Sequence, residues 1–175
     1  MSAATPAVSD DVWSRAARIR LLVTDCDGVL TDGSVYYSAR GEEMKRFLMR
    51  DGMGVERLRR LVGIETAIVT GERSVSICRR AEKLAIHEVV LGADDKAASV
   101  YAMAADRGLA LDELAYVGDD VNDLGAIRSV GLACCPADAM AEVAAAAHYV
   151  CRLPGGRGAF REVAELLIRA RIETD

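Results

Sequence analysis

No stretch of this 175-residue chain approaches the ~18 consecutive apolar residues needed to cross a bilayer, so no membrane-spanning helix is expected. Residues 1–11 carry small and acidic side chains with no basic cluster ahead of an apolar core, so they do not read as a secretory signal. Residues 1–17 are expected to form a flexible leader and residues 18–175 a single domain. Excess positive charge is also lacking: the formal net charge is −5, which argues against a nucleic-acid partner. It does not argue against a small anionic substrate, because a metal ion and a few placed cations decide that locally. The five cysteines (Cys26, Cys78, Cys134, Cys135 and Cys151) are odd in number and show no CxxC spacing. Neither a disulfide framework nor a zinc site is suggested, and they are expected as small buried hydrophobes in a reducing cytoplasm. His87 and His148 have no spaced partner and read as structural. There is no internal repeat, and the Ala-rich stretch 141–147 suits a helix.

What is present is an ordinary globular composition, 51% hydrophobic and 28% charged. The most informative stretch is Asp25-Cys26-Asp27-Gly28-Val29-Leu30-Thr31-Asp32-Gly33, directly after the apolar run 19–24. A short apolar run ended by Gly and Asp reads as a buried strand. Residues two apart on a strand share a side, so Asp25 and Asp27 should face one small volume. Two like charges held together are costly unless a cation or proton intervenes, and a magnesium-dependent phosphoryl site would supply the cation.

Further buried strands are expected at 66–70, 88–91, 114–117, 131–135 and 148–151, and helices at 54–61, 74–84, 95–107, 122–130, 137–147 and 159–172. Strands alternating with helices of this length predict an α/β fold, a central parallel sheet covered on both faces. Residues 34–47 break the rhythm and read as a hairpin around Gly41.

In open parallel sheets the ligand lies beyond the carboxyl ends of the strands. Those ends hold Asp25 and Asp27, then Thr70-Gly71-Glu72, then Lys96, then Gly118-Asp119-Asp120-Val121-Asn122-Asp123. A nucleophile, a proton donor, a cation and an acidic metal cluster are the parts of phosphoryl transfer. In this order the motifs resemble the haloacid dehalogenase superfamily of phosphohydrolases, over nearly the whole chain after the leader. The resemblance implies a three-layer Rossmann-like domain over 18–175. In it Asp25 is the nucleophile, Asp27 the acid and base, Thr70 a phosphoryl hydrogen-bond donor and Lys96 the neutralising cation. It implies Mg2+ held by Asp25, the Asp27 carbonyl and Asp119, with Asp120 and Asp123 behind them.

Plainer readings stand beside these. Asp27 and Thr70 could cap helices, Lys96 could be a solvated lysine, and Asp123 a helix cap. A signalling receiver domain also combines acidic residues, Thr and Lys, but its Lys comes last, whereas here the Gly-Asp-Asp cluster follows Lys96. A catalytically idle, magnesium-binding regulatory protein on the same fold is the remaining alternative.

Only 42 residues separate Asp27 from Thr70 and 25 separate Thr70 from Lys96, too few for a cap domain. A hairpin flap and a neighbouring subunit would have to close the site. With Gly28-Val29-Leu30-Thr31-Asp32-Gly33 and Gly155-Gly156-Arg157-Gly158-Ala159-Phe160-Arg161-Glu162, the chain resembles the capless, tetrameric branch acting on 3-deoxy-2-keto sugar acid phosphates. Its substrates are 3-deoxy-D-manno-octulosonate 8-phosphate (KDO 8-phosphate) and the nine-carbon KDN 9-phosphate. The eight-carbon type typically has Arg after Thr-Gly, where this chain has Glu72. With Gly71, Arg80 and Lys83, Glu72 leans towards the nine-carbon substrate, unless Arg79, Arg80 and Lys83 are a solvated helix face. Arg157 either reaches a neighbour's site or turns the backbone between glycines.

Overall fold

The structure, a computed structural model, describes residues 8–173. At its centre is a six-stranded sheet in the order β5-β4-β1-β6-β7-β8, parallel throughout. The strands are β1 (Leu21–Thr24), β4 (Glu65–Thr70), β5 (Glu88–Leu91), β6 (Leu114–Val117), β7 (Leu132–Cys135) and β8 (Tyr149–Val150). Every residue of β1, β6 and β7 is buried, as expected of strands covered on both faces. Side chains alternate across the sheet. Leu22 and Ile68 point to one apolar layer, with α1 (Asp10–Arg18), α2 (Met49–Val62), α3 (Val75–Leu84) and α7 (Ala159–Ile172). Leu21, Val23 and Val69 point to the other, with α4 (Lys96–Arg107), α5 (Leu124–Ile127) and α6 (Ala141–Ala146). These are the three layers the alternation of elements predicts.

The remaining two strands, β2 (Val35–Ser38) and β3 (Gly41–Lys45), form the antiparallel hairpin, a separate sheet between β1 and α2. No cap domain interrupts the described chain between Asp27 and Lys96; the hairpin, α2, β4, α3 and β5 fill that interval.

Several expectations need correction. The expected leader 1–17 is not loose from Ser9 onward, because Asp10–Arg18 is a helix of the core; residues 1–7 lie outside the described residues. The Ser9 side chain accepts from Val12 N at 3.4 Å, Asp10 and Asp11 occupy the first turn, and Arg15 and Arg18 the last, a charge order that suits the helix dipole. Helix α2 starts at Met49, not 54. Gly52 and Gly54 obscure it, each costing roughly 1 kcal/mol in a helix interior. Gly54 is there for proximity: a Cβ at that position would stand 3.2 Å from the Ala164 Cβ of α7. The helix expected at 122–130 is a 3-10 turn, Val121–Asp123, followed by the short α5. Four of the cysteines are buried as expected, whereas Cys78 is exposed on α3.

Ser9→Ala and Val12→Ala should each destabilise the protein, by about 1 and about 2 kcal/mol respectively. Urea unfolding reads this as lower midpoints; unchanged midpoints in both variants would mean that α1 is not part of the core.

Candidate active site

The first strand delivers its carboxylates through a tight loop. Asp25 N still donates to Val117 O at 2.8 Å, so the backbone is in register with β6 up to that residue. Beyond it, Cys26 O accepts from Leu30 N and Thr31 N at 2.9 and 3.0 Å, which turns the chain back. Gly28 has φ +83°, and a Cβ there would lie 1.9 Å from Asp119 Oδ2. Only glycine lets the two acidic loops approach this closely. The segment Gly155-Gly156 braces the loop from behind, with Gly156 N donating to Val29 O at 2.9 Å.

Behind the loop lies a buried charge cluster. Lys96, the first residue of α4, places Nζ 2.9 Å from Asp25 Oδ2 and 2.8 Å from Asp123 Oδ1. Tyr116 OH donates to the same Asp123 oxygen at 2.6 Å. The other Asp123 oxygen accepts from Asp119 N and Asp120 N at 3.0 and 3.2 Å. Asp123 is therefore fully partnered. It holds Lys96 and shapes the loop that carries Asp119, and it is more than a helix cap. Asp119 differs: its Oδ1 is buried with no hydrogen-bond partner. Oxygens of Asp25, Asp119 and Asp123 all lie within 4.8 Å of one another.

Three carboxylates thus share one ammonium. Burial, then the Asp123 charge, push the Asp25 carboxyl up to about 7 despite Lys96. Burial, then the charges of Asp25 and Asp123, push Asp119 up to about 7 as well. Such a site has negative charge to spare and an orphaned hard oxygen. The residues fit a divalent cation of the magnesium type, which Asp25 and the unpartnered oxygen of Asp119 could hold, with Asp123 behind them.

Asp27 is held from a different direction. Its Oδ1 accepts from Thr31 OH at 3.1 Å, and Lys45 Nζ lies 2.9 and 2.8 Å from its two oxygens. Lys45 ends the hairpin strand β3, and its side chain is only 1% exposed. Sequence reasoning missed it, as it missed Tyr116. Lys45 stands beside Arg46 in a segment that reads as solvated, and only the folded hairpin reveals where it points.

Thr70, at the end of β4, is buried, and its hydroxyl oxygen accepts from Glu72 N at 3.2 Å. That contact leaves the hydroxyl proton free to be donated forward. Thr70, Gly71 and Glu72 line the same cleft as Asp25, Asp27 and Lys96, a cavity of about 260 Å³, with Asp119 and Asp120 on its far wall. Arg80 and Lys83 are not in this cleft. They line an adjoining one of about 630 Å³, on the far side of Lys45. Arg80 Nη2 donates to Leu48 O at 3.1 Å, and its guanidinium sits 5.6 Å from the Phe47 ring centre. Lys83 is exposed, and Arg157 is exposed on its loop and does not line the cleft. His148 is structural as expected: its Nδ1 accepts from Ala133 N at 2.9 Å.

Residues 82–155 match the family described as haloacid dehalogenase-like hydrolase. The chain is 42% identical over 164 residues to the KDO 8-phosphate phosphatase KdsC of Yersinia pestis, covering 94% of this chain and 87% of the relative. It is 40% identical over 168 residues to the same-named protein of Escherichia coli K12, covering 96% and 89%. Among solved structures it resembles the KDO 8-phosphate phosphatase of Moraxella catarrhalis in complex with a magnesium ion, a phosphate ion and KDO. The TM-score is 0.90 at 35% identity, covering 94% of each chain.

A carboxyl whose folded pKa stands above its ordinary value of 3.8 favours folding at low pH, and loses that advantage as pH rises towards the folded value, here about 7. Chelator-treated protein should therefore lose thermal stability between about pH 5 and about pH 8. Added Mg2+ should restore more at the higher pH, and Asp119→Asn should flatten both trends. A pH-independent response to Mg2+ would contradict the charge excess.

Proposed function

The chain belongs to the haloacid dehalogenase-like hydrolases, and from that premise we propose that it is a magnesium-dependent phosphatase of 3-deoxy-2-keto sugar acid phosphates, with KDO 8-phosphate as its main substrate. One observation carries the chemical part. A buried carboxylate, Asp25, faces a cleft beside a single ammonium, and a second carboxylate, Asp27, stands two residues further along the same loop.

In this reading an Asp25 oxygen bonds to phosphorus as the ester P–O bond breaks, giving an aspartyl phosphate. Asp27 gives its proton to the departing sugar oxygen, then takes one from the water that attacks phosphorus. The second attack releases inorganic phosphate and restores Asp25. Thr70 donates its hydroxyl proton to a phosphoryl oxygen. Lys96 neutralises charge on the phosphoryl group and on Asp25, and Asp123 and Tyr116 hold it in place. Asp25, Asp119 and the Asp27 carbonyl would hold Mg2+, with Asp120 and Asp123 as supports. When bound, the ion supplies positive charge to the transferring phosphoryl oxygens.

The relatives' names support the eight-carbon substrate. Glu72 supports the nine-carbon KDN 9-phosphate, since it lies in the catalytic cleft, where it could accept hydroxyl hydrogen bonds. Arg80, committed to Leu48 and Phe47, adds little to that second reading. For the assembly we propose a homotetramer. The hairpin exposes Tyr36, Tyr37 and Met44, apolar surface suited to a neighbour that would close the capless cleft and could receive Arg157. The five free cysteines suit a reducing compartment such as the cytoplasm.

Asp25→Asn should abolish phosphate release with no loss of Tm; near-normal turnover would exclude Asp25 as nucleophile and favour an idle regulatory role. Lys96→Met should lower kcat by roughly 100- to 1,000-fold. A side-by-side phosphate-release assay should give the higher kcat/KM for KDO 8-phosphate, and preference for KDN 9-phosphate would shift the reading to Glu72. Light scattering should give four times the chain mass; a fully active monomer would remove the closing neighbour.

A further inference from the structure

Asp27 stands on a loop and is only partly covered. Apart from Thr31, the partner the structure gives its carboxylate comes from another element, the hairpin. Lys45 reaches inward from the end of β3 and contacts both Asp27 oxygens, at 2.9 and 2.8 Å. Placing an ammonium here with 1% exposure costs solvation that a lysine pinning a surface hairpin would not need to lose. Lys45 is in turn steadied by Glu42, whose Oε2 lies 3.5 Å from Nζ. The other Glu42 oxygen bonds the Ser74 hydroxyl. Ser74 is the N-cap residue of α3, yet its side chain makes no capping hydrogen bond. A serine at an N-cap normally caps, and forgoing that contact leaves an orphan helix donor. The hydroxyl is turned to the hairpin instead. A row of contacts, Asp27–Lys45–Glu42–Ser74, thus crosses from the loop after β1, in the catalytic cleft, to the start of α3, in the adjoining one.

We propose that Lys45 is the positioning residue for Asp27: it fixes where the carboxylate points, so that proton transfer to and from the substrate requires the hairpin in its docked position. The inference rests on the phosphatase reading above. An acid–base group must be aimed at the oxygen it serves, and a carboxylate free to swing loses most of its effect.

The test is the leaving group. An alkyl phosphate, such as a sugar phosphate, needs a proton on its departing oxygen, whereas p-nitrophenyl phosphate does not. Lys45→Met removes the charge and keeps the stem. The ratio of kcat/KM for the alkyl over the aryl substrate should fall about 100-fold, the same signature as Asp27→Asn. Lys45→Arg should recover part of the ratio, and the double variant should lose no more than Asp27→Asn alone, because both act on one step. An equal loss on both substrates would mean that Lys45 merely supports the fold, and an unchanged ratio would likewise overturn the proposal. A crystal structure of Lys45→Met gives a second reading independent of turnover: the Asp27 carboxylate should leave its present position, and an unmoved carboxylate overturns the proposal. Failure of the phosphatase reading is seen separately, as a wild-type protein that releases phosphate from neither substrate.

Discussion

The Lys96 ammonium, buried between Asp25 and Asp123, is the contact around which the carboxyl end of the sheet is organised. Removing an ammonium and several carboxylates from water is expensive, and their mutual attraction rarely repays the whole cost. The surroundings offset what they can. Tyr116 and two backbone N–H groups satisfy Asp123, and Cys26 N satisfies one oxygen of Asp25. Asp119 is left with a buried, unpartnered oxygen. A cluster built for stability would not leave that atom bare. A cluster built to receive a cation and a phosphoryl group would, and perturbed carboxyls in a cleft mark such sites.

The rest of the architecture brings loops to this point at close range. Gly28 permits Asp119 to approach the loop of Asp25 and Asp27, and Gly155-Gly156 packs against the back of that loop. Asp51 of α2 accepts from Arg161 N in the first turn of α7, tying the helix that follows the glycine segment to the core. The hairpin contributes Lys45 from the front. Rigid, glycine-tight packing behind and a hairpin in front are what a capless cleft needs if it is to exclude water on one side only.

The strands and the acidic motifs are legible in the chain because both follow short-range rules. A strand buried on both faces must be a continuous apolar run, as at 21–24 and 114–117, and the polar residues needed for chemistry then collect at its end. The structure accordingly gathers Asp25, Asp27, Thr70, Lys96 and Asp119 around one cleft. Features fixed by tertiary contact were not legible. Helix α1 looks polar because only Val12 and Ala16 are buried, and α2 looks broken because Gly54 serves packing against α7 and Gly52 packing against Arg80 and Leu84 of α3. The spacing of Arg80 and Lys83 after Glu72 points Arg80 to a substrate, but the α3 face that bears it turns towards the start of α2. Lys45 gives no sign of its contact with Asp27, which lies 18 residues away across a hairpin.

The proposed reaction turns on one covalent event at Asp25. A single turnover with substrate labelled in its phosphate, quenched rapidly in acid and mapped by peptide, tests it most directly. The account predicts transient label on the peptide containing Asp25, at that residue, disappearing as inorganic phosphate forms. Label at another residue, or turnover with no protein-bound label at any time, would contradict it.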